Sequence, residues 1–582
     1  MQIKQTLVRL CCLLFPITAF SQTTYLHQGA QENMLLERME IKLQKDSILN
    51  FSKNKPFSRK QIVTVIQQWY HRASLVHTAG EIPMMNDRKE REQLALSAGF
   101  TELDLFNARL AIAKNLEWRD SIIMPASKKP IWKHFYKTPA NLYEVHTKDF
   151  FLAINPVVQY YVGKEKDNDQ HIFLNTRGLT LRGRIADKIG FAAYVTDNQE
   201  RDPLYVQEWE KEREAVPGQG FYKSFKQTGY DYFDARGYVT ANVAKYIDVA
   251  FGYDKNFIGN GYRSLFLSDF SNSTLFLKLN TRIWKFNYQN LFMELQAAER
   301  TGADVLIPKK YAAMHHLDLA VTRWLNIGLF EGVVFGRPDR FDFSYLNPVI
   351  FYRSIEQQNG SFDNAVVGLD AKANVAKKFQ FYGQLLLDEF NLTELRKGKG
   401  WWANKLGLQG GAKYIDAFNI KNLDLQLESN LVRPFTYSHR DSVANYTHYN
   451  QPLAHPLGAN FRELVGIARY QPAPKMLVVA KAFYFMQGRD TANTTTSFGS
   501  NIFLPNIPPY RKQDFGYELG AGIRTKTALA SLLLSYEWKP NLFFEINPVI
   551  RKESATAVAP ARNTFIIYGG IRWNMHRREF EF

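Results

Sequence analysis

The chain is nearly free of cysteine. Cys11 and Cys12 are adjacent and lie within the first twenty residues. The mature chain is therefore expected to hold no disulfide framework, no thiolate zinc site and no cysteine nucleophile. Past its start the sequence also lacks any apolar run of about 18 residues, which excludes a membrane-spanning helix. It has no complete phosphate-cradling signature: Gly259 and Gly261 have neither a third glycine nor a helical pattern after them. They read as a turn in a long loop. No metal pattern emerges either, because His439, His448 and His455 are spaced unlike any ligand set. No cofactor and no metal is expected. Asp342 and Glu356 could pose as a glycosidase pair, but they sit among Arg337, Arg340 and Arg353, where carboxylates ordinarily form ion pairs. No enzyme is expected.

The opening residues are informative. "MQIKQTLVRLCCLLFPITAFSQ" has Lys4 and Arg9, then a short apolar stretch from Leu10 to Phe20, then Ser21 before a cleavage point ahead of Gln22. This is the pattern of a secretory signal peptide over residues 1–21. The formal net charge is +17. In a cytosolic chain that would suggest nucleic acid, but an exported chain is expected to meet acidic surface polymers or lipid headgroups instead. Phe and Tyr number 43 and 30, a usage that suits strands.

Two regions differ in period. Residues 22–145 read as a small helical unit. Ser58 and Gln61 have capping-box spacing ahead of Ile62, Val65, Ile66 and Trp69. Asn86 and Gly99 bracket a second helix, and Leu103, Phe106, Leu110 and Ala113 would share the face of a third. From residue 146 to 582 the period is two. In "KNLDLQLESNL", Leu423, Leu425, Leu427 and Leu431 oppose Asp424, Gln426, Glu428 and Asn430. Around Val367, Leu369 and Val375, the opposite face holds Asp370, Lys372 and Asn374. Three near-identical tetrads at 154, 346 and 546 ("INPV", "LNPV", "INPV") read as strand-end turns.

The connections separate a membrane barrel from a soluble sheet. Very short links at 186–188, 244–246, 284–285, 324–326, 376–378, 473–475 and 539–541 alternate with long ones near 198–233, 255–273, 297–313, 337–364, 390–403, 434–460 and 488–522. Tight periplasmic turns and long outer loops are the pattern of outer-membrane barrels. The fold expected is an all-β transmembrane β-barrel of about 18 antiparallel strands, with a periplasmic α-helical unit. "DFGYELGAGIR" reads as loop and strand top rather than an extra strand. An even count returns Phe582 to the periplasm, where it would end the last strand, with the final residues hanging below the barrel.

Several blocks resemble the capsule assembly Wzi family, and more closely its gliding-motility relatives of the RemB type: "YLHQGAQENMLLERMEIK" (25–42), "IGNGYRSLFLSDFSN" (258–272), "LNPVIFYRSIE" with "GSFDNAVVGLD" (346–370) and "YTHYNQPLAHPLGANF" (446–461). The resemblance implies an outer-membrane barrel with lectin-like binding of acidic capsule polymer. It assigns no residue one by one. The chemistry of the outer loops singles out Arg263, Arg337, Arg340, Tyr345, Arg353, Trp401, Trp402, Arg433, Tyr437, His439, Arg440, His448, Tyr449 and His455. Such groups stack on sugar faces and pair with uronate carboxylates. The partners expected are outer-membrane lipid, an acidic surface polysaccharide and a periplasmic protein reached through the helical unit, with no nucleic acid. A passive solute channel and a structural part of a motility or secretion assembly are the alternatives.

Overall fold

The computed structural model describes residues 24–27, 29–75, 99–118, 134–186, 188–297, 307–337, 340–349, 351–361, 363–491, 495–555 and 559–582. The signal segment and the helix expected after Asn86 lie outside them. From residue 150 onward the chain forms a closed antiparallel barrel of 18 strands. They are β1 (Phe150–Glu165), β2 (His171–Ile185), β3 (Ile189–Arg201), β4 (Gly229–Ala244), β5 (Ile247–Asp254), β6 (Thr274–Ile283), β7 (Phe286–Gln296), β8 (Lys309–Ala320), β9 (Leu325–Phe335), β10 (Asn364–Val375), β11 (Phe379–Glu389), β12 (Lys405–Tyr414), β13 (Leu423–Val432), β14 (Phe461–Ala473), β15 (Met476–Arg489), β16 (Ile523–Lys539), β17 (Leu542–Ala555) and β18 (Ala559–Trp573). β18 pairs back onto β1, from Ile566 opposite Glu165 to Trp573 opposite Val158. Among the described residues no helix is long and apolar enough to cross a membrane.

The alternation is inside out relative to a soluble sheet. On β13, Gln426, Glu428 and Asn430 are buried toward the lumen while Leu427 is 57% exposed. On β10, Asp370, Lys372 and Asn374 are buried and Val367, Leu369 and Val375 face out. Apolar groups outside and polar groups inside are what a strand needs when its solvent is hydrocarbon.

Details depart from the sequence reading. The link expected at 324–326 falls at 321–324, since β9 begins at Leu325. A further tight link at 415–422 is built from Asp416, Phe418, Asn419 and Asn422, all at positive φ. Two of the Asn-Pro tetrads are mid-strand, not strand ends. Pro156 falls where β1 changes partner, between Ile154 opposite Tyr143 and Val158 opposite Trp573. Pro548 falls in the gap of the β16–β17 ladder between Ser531–Val549 and Leu534–Ile546. Proline survives in a strand where no ladder bond needs its missing N–H.

The helical unit contains α1 (Gln31–Leu43), α2 (Arg59–Leu75) and α3 (Glu102–Lys114). Ser58 caps α2 by accepting from the Gln61 N–H at 3.1 Å. Ile62, Val65, Ile66 and Trp69 all enter its core. On α3 the buried face is Asp104, Leu105, Ala108 and Ala111, not Leu103, Phe106, Leu110 and Ala113. Small Ala108 and Ala111 let the helices approach closely, and Asp104 is drawn inward by Arg38 and Lys42 at 2.7 Å each. The same Arg38 and Lys42 reach Asp416 at 3.0 and 2.8 Å, so the unit is clamped to the short-link end of the barrel.

Candidate functional site

The lumen is filled from both ends. From the short-link end, Lys53 enters to meet Asp318 at 3.0 Å and also Asp370. Beside it, Asn54 and Lys55 pair as a two-residue ladder with Ile258 and Phe257 of the 255–273 loop. That loop descends from the opposite end. Gly259 sits at φ +151° there, and its N–H donates to the Lys53 carbonyl at 2.8 Å. The 433–460 loop lies on top of it. The Tyr437 hydroxyl donates to the Leu265 carbonyl at 2.8 Å, and the Tyr446 hydroxyl to the Phe266 carbonyl at 2.6 Å.

A third segment enters the lumen as well. After Trp573 the chain does not hang below the barrel: residues 574–582 turn back and climb through the lumen. Arg577 pairs with Glu545 at 2.6 Å, Lys481 with Glu581 at 2.8 Å, and Arg578 with Glu200 near the outer end. Phe582 ends among Tyr205, Trp209 and Phe270. Trp209 belongs to α4 (Leu204–Arg213), which crosses the outer end. The cause is readable afterwards: "HRREFEF" alternates strong charge with Phe, a poor membrane strand but a good match to a lumen wall of Glu, Lys and aromatic groups.

The fourteen candidate residues divide by location. Arg263, Tyr437, His439, His448 and His455 are buried within the plug, not displayed on an outer loop. Arg263 donates to Glu463 at 3.2 Å, and His455 shares a 2.7 Å hydrogen bond with the same carboxylate. The ring nitrogens of His448 meet the Gln296 N–H and the Ser273 carbonyl, each at 3.0 Å. Burial pushes the His448 imidazole down to about 4. Tyr449 is half-buried beside it, and Arg440 is exposed.

Arg337, Arg340, Tyr345 and Arg353 belong to a strap that packs on the outside of the wall, not at the mouth. The strap includes α5 (Tyr352–Asn359). It covers Phe292, Tyr311, Ala313, Val333 and Phe335, which alternate with the lumen-facing Leu291, Met293, Ala312, Met314 and Val334. Asp363 anchors it, accepting two bonds from Arg337 at 2.8 Å and one from the buried Tyr345 hydroxyl at 2.6 Å. Arg353 is exposed and pairs with Glu356 at 2.7 Å, and Arg340 is exposed. Asp342 accepts from Arg337 at 3.3 Å. The Asp342 and Glu356 carboxylates are thus engaged as ion pairs.

Trp401, Trp402 and Arg433 are brought together at the outer mouth. A shallow cavity of about 210 Å³ is lined by Trp401, Arg433, Asn404, Glu394 and Glu518. The Arg433 guanidinium donates to carbonyls: Nε to Asn404 at 2.8 Å, with Nη2 3.5 Å from those of Trp401 and Tyr517, and the Glu518 carboxylate shares the cavity with it. Trp402 is clamped beneath the Arg511 guanidinium, 4.1 Å from its ring centre, and stands edge-on to Phe435. Both tryptophans are half-exposed. The half-exposed Trp401 beside a guanidinium whose hydrogen bonds go to backbone carbonyls can take a flat sugar face and an anionic substituent together.

Deeper down, a chamber of about 510 Å³ lies between the helical unit, the wall and the returning tail. Its cations include Arg59, Lys255 and Arg469, which donate to neutral acceptors: Asn115 at 2.7 Å, the Asp269 carbonyl at 3.0 Å and Gln426 at 3.0 Å. Burial, reinforced by Arg236, pushes the Lys255 ammonium down to about 7. The size falls in the range of small-ligand sites, and the lining suits an anion.

No protein-family model and no curated protein matches the sequence. Among solved structures, the chain is similar to Wzi of Escherichia coli, an outer-membrane protein involved in group 1 capsule assembly and described as a carbohydrate-binding β-barrel. Identity is 13%, with a TM-score of 0.52 over 96% of this chain and 100% of that one. OprD of Pseudomonas aeruginosa aligns with 72% of this chain and 94% of its own at 13% identity and TM-score 0.40. OccAB2 of Acinetobacter baumannii aligns with 72% and 97% at 11% identity and TM-score 0.39. The likeness to Wzi is one of fold.

Proposed function

We propose that this chain is a non-catalytic, lectin-like outer-membrane barrel that holds an acidic surface polysaccharide during its attachment or assembly. The observation that carries the reading is the Trp401–Arg433 cavity at the outer mouth, where an aromatic face and a guanidinium hydrogen-bonded to backbone carbonyls are presented together. The likeness in fold to a carbohydrate-binding barrel supports it. In this reading the first 21 residues are a cleaved export signal. The helical unit faces the periplasm and meets a protein partner there, and the apolar outer wall meets lipid. A place in a gliding-motility or secretion assembly is the alternative role for the same barrel. A passive solute channel is disfavoured by the occupied lumen, since conduction needs a continuous aqueous path.

The test is binding of the purified full chain in detergent to immobilised polymers: polygalacturonate and hyaluronate against neutral dextran. Retention of a uronate polymer, weakened by salt, is the expected result. Equal retention of dextran, or of none, would sink the reading.

A further inference from the structure

Glu200, Asp202 and Glu210 meet beneath the outer end of the barrel. Glu200 points inward near the end of β3, Asp202 follows directly after that strand, and Glu210 comes from α4. One carboxylate oxygen from each lies within 4.8 Å of the others, and all three side chains are buried. This cluster has no part in the polymer reading above, and its chemistry stands apart from it.

Proximity of acids alone means little. The second observation is the state of their oxygens. Glu210 is fully buried, and among the described residues no donor reaches either of its oxygens; none reaches Glu200 Oε1 or Asp202 Oδ2 either. The helix thus aims an unsatisfied carboxylate at an unsatisfied strand-end pair. The other Glu200 oxygen is engaged, by the Arg578 guanidinium and by the Tyr232 hydroxyl at 3.2 Å. One guanidinium therefore faces three carboxylates. Buried charge without a partner is costly, and a doubly charged cation among the free oxygens would bring the group to neutrality.

We propose that Glu200, Asp202 and Glu210 bind a divalent cation, calcium in preference to magnesium, and that it locks α4 and the returning tail to β3. An all-oxygen, all-carboxylate set selects a hard cation. Magnesium sheds its waters reluctantly and is seldom held by a buried all-protein set, whereas calcium accepts one. Three buried carboxylates with oxygens within 4.8 Å of one another therefore suit calcium. Arg578 carries the effect into the tail, because its guanidinium holds Glu200 and also donates to the Pro217 carbonyl at 3.2 Å.

Terbium reports on such a site, and its sensitisers are in place: Trp209 precedes Glu210 in α4, and Tyr232 touches Glu200. The full chain in detergent, stripped with EDTA, is titrated with Tb³⁺ under tryptophan excitation. Saturable emission is expected, displaced about tenfold more readily by Ca²⁺ than by Mg²⁺. Asp202→Asn combined with Glu210→Gln should weaken it at least about tenfold, while Glu212→Gln, at an exposed position of the same segment, should not. Absent emission in the wild-type chain, or equal emission in the double variant, overturns the proposal. Should the double variant fail to fold, the wild-type chain decides alone: after dialysis against micromolar calcium it should carry about one equivalent, and a content near zero means the carboxyls share protons instead.

Discussion

Phe582 rests against Trp209 inside the barrel, with ring centres 5.3 Å apart. One residue ends the tail that climbs the lumen, and the other belongs to the helix that roofs it. A barrel of this many strands is wide enough for a water-filled channel unless something occupies it. Here the tail, the helical unit and two loops do. Removing residues 576–582 deletes the Arg577–Glu545 and Arg578–Glu200 pairs together with the Phe582 contacts. The intact chain in a planar bilayer should be electrically silent, and the shortened one should conduct. Equal conductance from both would show that the tail is no part of the seal.

The plug should also loosen in acid. Burial holds His448 down at about 4, against an ordinary value of about 6.5. Because this value is lowered in the folded state, the unfolded chain takes up protons first as pH falls. Stability is then complete above about 6.5, declines between about 6.5 and 4, and levels off below that. For His448 the loss is on the order of 3 kcal/mol. Hydrogen exchange at residues 446–460 should quicken over that window, and His448→Gln should flatten the dependence. A pH-independent exchange rate in the wild-type loop would refute it.

The barrel was legible in the sequence because lipid imposes a simple rule, apolar out and polar in with period two, and Leu423 to Leu431 follows it except at the outward Ser429. The occupied lumen was not legible. A loop that lies outside and one that folds inside can share a composition: Tyr437, His448 and His455 read as sugar-binding groups, yet each is spent on a buried partner. Nothing local marks the difference, since the partners are distant in sequence. Trp401 and Arg433 were found by residue chemistry, but their joining depends on the barrel closing. The Glu200–Asp202–Glu210 cluster was hidden in a charged segment that carried no metal spacing.

The strap on the outer wall hangs on Asp363. Its carboxylate satisfies both Arg337 nitrogens and the buried Tyr345 hydroxyl. Asp363→Ala would remove the acceptor of the buried Tyr345 hydroxyl and leave Arg337 only its bonds to the Gly336 carbonyl, Asp342 and Ser361, at a cost of about 3 kcal/mol to the docked strap. The barrel's own ladders are untouched by this change. Limited proteolysis should therefore cut residues 340–361 at least about tenfold faster, while the heat-dependent gel mobility of the barrel stays that of the wild type. Unchanged cleavage would show that the Phe335–Tyr345 stack at 4.5 Å suffices to hold the strap down.

The outer cavity offers the sharpest separation of roles. Trp401 would contribute stacking area and Arg433 a charge, so their variants should fail differently. Trp401→Ala should weaken binding to uronate and neutral polymer fragments alike, by about tenfold, since stacking does not read charge. Arg433→Gln should weaken only the uronate polymer, because a charge-assisted hydrogen bond of about 1.5–3 kcal/mol is lost where the ligand is anionic. It should also remove most of the salt dependence, as the screened interaction is the one deleted. Titration calorimetry with galacturonate and dextran oligomers at two salt concentrations measures all of these. If Arg433→Gln leaves both affinity and salt dependence unchanged, the polymer is held elsewhere, and the cationic chamber with Lys255 and Arg469 becomes the next site to vary.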